Sequence, residues 1–133
     1  MENRNTFKKS ERLKLTKKID ELFANGRWLR GNNIRLIYLE TDDNLSSPSQ
    51  VLFSVPKKIF RRAVKRNLLK RRMREAFRLN KNPFYSEVST LNKKVYLGFI
   101  YSSSEEVEYS VINKEIRSLL AQVQSRLQKS SAF

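Results

Sequence analysis

The sequence predicts an α+β fold, a small α/β sandwich in which helices cover one sheet. Three observations carry this. The runs Asn33–Glu40, Val51–Val55 and Val95–Tyr101 are rich in β-branched and aromatic residues, as strands are. Three other stretches repeat their apolar residues at helical spacing. The resulting order, helix-strand-strand-helix-strand-helix, is that of a layered domain. The 133 residues suit a single domain over 1–133, with 1–10 and 129–133 as flexible tails.

Residues 1–12 are polar and basic and read as loosely ordered. Ile19, Leu22 and Phe23 then stand at i, i+3 and i+4, which predicts a helix over Thr16–Asn25. Thr16 is the candidate N-cap and Gly26 the stop. The strand NIRLIYLE is followed by a turn-rich loop, TDDNLSSPSQ, and the strand VLFSV is closed by Pro56. A central helix is expected over Arg61–Asn80, ended by Asn82-Pro83. Residues 84–94 carry no decisive pattern. VYLGFIY reads as a buried strand. The stretch Ser102–Glu108 offers caps and early acids for a final helix over Glu105–Gln128. Val107, Val111, Ile112, Ile116, Leu119, Leu120, Val123 and Leu127 line one side of that helix.

Composition narrows the function classes. The net charge is +15, the pI about 10.4, and 39% of residues are hydrophobic, so the chain folds and attracts polyanions. It has no Cys and no His. Thiol chemistry, disulfides, the usual zinc ligands and the commonest general base are therefore absent. No apolar run nears the roughly 18 residues of a membrane span, and the N-terminus has no apolar signal region. A cytoplasmic protein with no membrane partner is expected.

The charge is concentrated. KRNLLKRRMREAFR, Lys65–Arg78, holds seven Lys or Arg and one carboxylate, Glu75. On a helix at about 100° per residue, Leu69, Met73, Ala76 and Phe77 share one side, facing the sheet. Asn67, Lys70, Arg71, Arg74 and Arg78 fall on another, spaced i, i+3, i+4, i+7, i+11. A solvated face normally mixes signs, and like charges at i, i+4 destabilise a helix by a few tenths of a kcal/mol. The stripe therefore predicts a polyanion surface. Arg outnumbers Lys in the helix, which suits bidentate binding of phosphate and stacking on bases. Asn67 adds a group that both donates and accepts. Nucleic acid is favoured over a membrane, because the apolar side is needed by the core. RNA fits, and geometry alone leaves DNA open.

The residues Phe53-Ser54-Val55-Pro56-Lys57-Lys58, Arg62-Ala63-Val64-Lys65-Arg66-Asn67, Lys70-Arg71 and Arg74-Glu75-Ala76-Phe77-Arg78 resemble the protein subunit of bacterial ribonuclease P. The first helix and the strands extend the resemblance over about residues 7–127. It implies a left-handed βαβ crossover and a partner catalytic RNA. It implies removal of the 5′ leader from precursor tRNA, with magnesium used by the RNA and no cofactor, zinc or catalytic residue in the protein. Lys65, Arg66, Asn67, Lys70, Arg71, Arg74 and Arg78 then match its RNA-contacting helix. Phe23, Lys57 and Lys58 match a cleft that holds the single-stranded leader, strengthening substrate and magnesium affinity. Glu75 is expected to orient a neighbouring Arg. Three positions depart from the family pattern: Leu68 replaces the second Arg of Arg-Asn-Arg, Pro56 replaces Ser or Ala, and Ile19 stands where Phe is frequent. The alternative is a general basic RNA-binding protein of ribosomal type. Asp42-Asp43 and Glu105-Glu106 read as solvated acids, and Trp28 as packing.

Overall fold

The computed structural model describes residues 6–130. A short 3₁₀ turn, Lys9–Glu11, precedes α1 (Thr16–Asn25), β1 (Arg27–Arg30), β2 (Ile34–Thr41), β3 (Ser49–Ser54), α2 (Ala63–Thr90), β4 (Lys94–Tyr101) and α3 (Tyr109–Ser130). The sheet order is β1-β2-β4-β3. β1 and β4 flank β2 antiparallel, while β3 runs parallel to β4. A parallel pair cannot be joined by a hairpin, so α2 serves as the crossover of a β3-α2-β4 unit.

Alternation along the strands divides the sheet into two faces. Leu36, Tyr38, Val51, Leu97 and Phe99 point into the main core, beneath α2 and α3. Ile37 and Tyr96, with the partly buried Leu39 and Leu52, point the other way and receive Leu22 of α1. Leu69, Met73, Ala76 and Phe77 are fully buried, as their spacing predicts.

Several features differ from expectation. The fold has one strand more, β1, whose residues Arg27, Trp28 and Arg30 are exposed, so no apolar alternation announced it. The central helix does not stop before Pro83 but runs on to Thr90. Proline in a helix interior costs about 3 kcal/mol. Beyond it, Phe84 and Val88 are buried to 1% and 0%, and two such side chains contribute about 3 to 6 kcal/mol, enough to offset that cost. The helix instead closes at Asn92, whose φ of 56° is the left-handed conformation that Asn tolerates at a helix end. Thr16 is the first helical residue and Leu15 the cap position, with no side-chain cap. The last helix begins at Tyr109, leaving Glu105–Glu108 outside it. The expected N-terminal tail extended to residue 10, yet Phe7 packs edge-on against Phe53 and Phe77 at 5.8 and 5.9 Å. Residues 1–5 and 131–133 of the expected tails lie outside the described residues.

Candidate RNA interface

α2 begins against its own electrostatics. Arg62, at the cap position, makes no side-chain capping bond, and the first turn holds no acid. Arg61, Arg62, Lys65 and Arg66 instead gather at the positive end of the helix dipole, where anions are favoured and cations are not.

The predicted stripe divides into tethered and free members. Arg66 donates from one guanidinium nitrogen to the carbonyls of Phe60 and Arg61, at 2.9 and 2.7 Å, and so holds the preceding loop. Lys65 pairs with Glu106 from the β4–α3 connection. That ammonium holds the Glu106 carboxyl below the usual range. Arg72, which projects off the stripe, lies 3.5 Å from the same carboxylate and donates to the Val107 carbonyl. Arg78 grips Glu75 through two hydrogen bonds of 3.0 and 2.7 Å, the orienting pair expected of Glu75. Asn67, Lys70, Arg71 and Arg74 make no side-chain hydrogen bond or ion pair among the described residues. Those four are the unpaired centre of the stripe, three of them cations without a carboxylate partner, and all but Lys70 are exposed.

Arg74 also reaches a depression of about 210 Å³ between the N-terminal segment and β3, lined by Phe7, Arg12, Lys14 and Phe53. Arg12 lies over the Phe7 ring at 5.8 Å. A sequence reading that treats residues 1–12 as a tail misses this groove. The segment is anchored by Lys81, which is buried inside α2 and pairs with buried Glu11 at 2.6 Å.

The α1 face of the sheet holds the remaining predicted residues. Strand register aligns Ser54, Ile100, Arg35 and Arg30 in one row across all four strands. The adjoining row is Leu52, Gly98, Ile37 and Trp28. α1 sits on this second row. Gly98 lets it approach, since a Cβ there would lie 3.4 Å from Leu22 and 3.0 Å from Ile37. The first row stays open: Arg30 and Arg35 are exposed and Ser54 and Ile100 half-buried. Lys57 and Lys58, both exposed, follow Ser54 at the β3 end. Phe23, 42% exposed on α1, lies 5.9 Å from Trp28 at the β1 end. Phe23 thus stands at the β1 end of the sheet and the lysine pair follows its β3 end, with the four strands, about 14 Å in width, between those ends. Asp43 fastens α1 to this face. It accepts from Lys18 at 2.8 Å and from the Tyr96 hydroxyl at 2.5 Å. These bonds, that of Lys18 foremost, hold its carboxyl down at about 2. Its acidity is structural. Among the described residues no cluster of three or more carboxylates that could hold a metal ion is formed, and no helix is long and apolar enough to cross a membrane.

A mixed sandwich carrying a one-sided Arg-rich helix and an open aromatic and cationic sheet face has the make-up of a nucleic-acid-binding protein. The sequence model of the family described as Ribonuclease P matches residues 7–124. The ribonuclease P protein component of Porphyromonas gingivalis is 32% identical over 123 residues, covering 92% of this chain and 90% of that protein. Among solved structures, the RNase P protein from Thermotoga maritima superposes with a TM-score of 0.65 at 25% identity, covering 84% of this chain and 96% of that one. A Staphylococcus aureus RNase P protein structure reaches 0.69 at 18% identity over 85% and 94%, a likeness of fold. The chain belongs to the ribonuclease P protein family, whose members act in tRNA 5′ processing.

Proposed function

We propose that the chain works as the RNA-binding subunit of a ribonucleoprotein endonuclease in the cytoplasm. Its free stripe docks on a catalytic RNA, and the open row of the α1 face receives the single-stranded leader of precursor tRNA. The observation that carries this is the run Lys70, Arg71 and Arg74, unneutralised and joined by the unpaired Asn67, near the poorly capped start of α2. Lys70, Arg71 and Arg74 have no carboxylate partner among the described residues and repel one another, and a phosphate backbone relieves that repulsion, while the Asn67 amide can donate and accept. Bond cleavage belongs to the RNA with its magnesium. The protein contributes no proton-transfer group, consistent with a chain without His or Cys. It acts by holding RNA and substrate together and lowering the magnesium needed.

The test is Arg71→Ala with Arg74→Ala, titrated against the partner RNA over a range of salt. Neither side chain supports the fold. Affinity should fall, and the slope of log affinity against log salt should drop by up to about two charges. An unchanged slope would refute the stripe assignment.

A further inference from the structure

The α1 face carries more than the role just proposed requires of it. Trp28 is 45% exposed on the edge strand β1. The Arg35 guanidinium lies 5.7 Å from its ring centroid. Arg30 is the direct cross-strand partner of Arg35. Like charges opposite each other in a sheet are destabilising. Here neither arginine has an ion-pair partner among the described residues. A purely structural edge would place a carboxylate in one of those positions. An aromatic face beside two uncompensated guanidinium groups instead has the composition that binds single-stranded nucleic acid, a base on the ring and phosphate on the arginines. A protein partner that buried this patch would have to supply carboxylates to both arginines.

We propose that Trp28, Arg35 and Arg30 form a subsite for one further unpaired nucleotide of the 5′ leader, at the β1 end of the open row. The base lies on the Trp28 ring, flanked by Phe23, and the adjoining phosphate lies between Arg30 and Arg35. This rests on the reading that the row takes the leader. It extends the leader path from Lys57 and Lys58 across all four strands. A leader long enough to span the row therefore binds better than one that ends at its middle.

Trp28 is the single tryptophan of the chain, so its fluorescence reports this subsite alone. The full-length protein, assembled with its catalytic RNA, is titrated with precursor tRNA bearing a leader and with mature tRNA lacking one. The expected result is quenching by the leader-bearing RNA and none by mature tRNA. Arg30→Gln with Arg35→Gln, at exposed positions, should lower the leader-dependent gain in affinity by about tenfold, as should Trp28→Ala, while Trp28→Phe keeps part of it. Thermal melts of each variant separate lost binding from lost folding, and the wild-type quenching needs no variant. Suppose Lys57→Ala with Lys58→Ala weakens leader binding while Trp28 fluorescence stays constant and Trp28→Ala binds normally. The subsite is then overturned and the leader reading stands. Quenching by the catalytic RNA alone, or equally by mature tRNA, assigns the patch to another occupant and overturns the proposal. A leader that adds nothing to wild-type affinity removes both.

Discussion

Lys81→Met should be among the most damaging single substitutions in this protein. Lys81 is 4% exposed and its partner Glu11 2%. The ammonium donates to Glu11 Oε1 at 2.6 Å and to the Thr6 carbonyl at 2.5 Å, and lies 5.4 Å from the centre of the Tyr85 ring. Glu11 Oε2 accepts the Lys8 backbone N–H at 2.7 Å, and the Tyr85 hydroxyl also interacts with this carboxylate. Methionine fills the same volume, so the loss is electrostatic: a carboxylate left in the interior without its cation. Breaking a buried pair this way costs about 3 to 5 kcal/mol. Domains of this size are stable by about 5 to 15 kcal/mol, so the variant approaches its unfolding threshold. Replacing both partners, Glu11→Leu with Lys81→Met, should recover most of the loss, because the carboxylate is gone as well. Urea unfolding of wild type, both single variants and the double variant closes the cycle, with a coupling of at least about 2 kcal/mol expected. A cost under about 1 kcal/mol for Lys81→Met would show that Glu11 is solvated. The N-terminal segment would then not be anchored to α2, and the Phe7–Arg12–Arg74 groove would lose its floor.

Other consequences are equally direct. The Asp43 carboxyl is held at about 2 against an ordinary 3.8, so below pH 4 the unfolded chain binds more protons. The stability this pair contributes is complete above about pH 4 and is lost as pH falls towards 2. Asp43→Asn should flatten that segment of a stability-versus-pH curve measured by denaturant unfolding. Gly98→Val should cost about 1 to 3 kcal/mol by overpacking beneath Leu22, with α1 showing the largest rise in amide exchange. Glu106→Gln frees Lys65 and weakens no buried contact. It should tighten binding to the partner RNA and raise the salt slope by up to about one charge.

The basic face of α2 is legible because a helix wheel converts spacing directly into a face. Arg71 and Arg74 needed nothing beyond their own helix to be placed. What depends on distant partners was not legible. That Lys65 is neutralised rests on Glu106, 41 residues away, and the anchoring of the N-terminal segment rests on Glu11 and Lys81, 70 apart. Pro83 argued locally for a helix end and was overruled by the burial of Phe84 and Val88, a tertiary effect. Strand β1 is invisible to periodicity because an edge strand with three exposed residues of four has no apolar period to detect. Trp28 therefore looks like a packing residue from the sequence alone. Only the pairing of β1 with β2 brings it beside Arg35 and turns a lone aromatic into part of a surface. Phe23 and the lysine pair were identified singly, but their separation across the sheet follows from the strand order, which spacing does not encode.

The most direct measurement is cleavage of a 5′ leader from precursor tRNA at low magnesium and near-physiological salt. The catalytic RNA of a matched source is assayed with and without the protein, and the protein is assayed alone. Cleavage that requires the RNA and rises strongly when the protein is added is the expected result. A protein that binds the RNA yet never stimulates cleavage would contradict the proposed role and leave a general basic RNA-binding protein. Cutting by the protein alone would place an active site in a chain that has neither His nor Cys to build it.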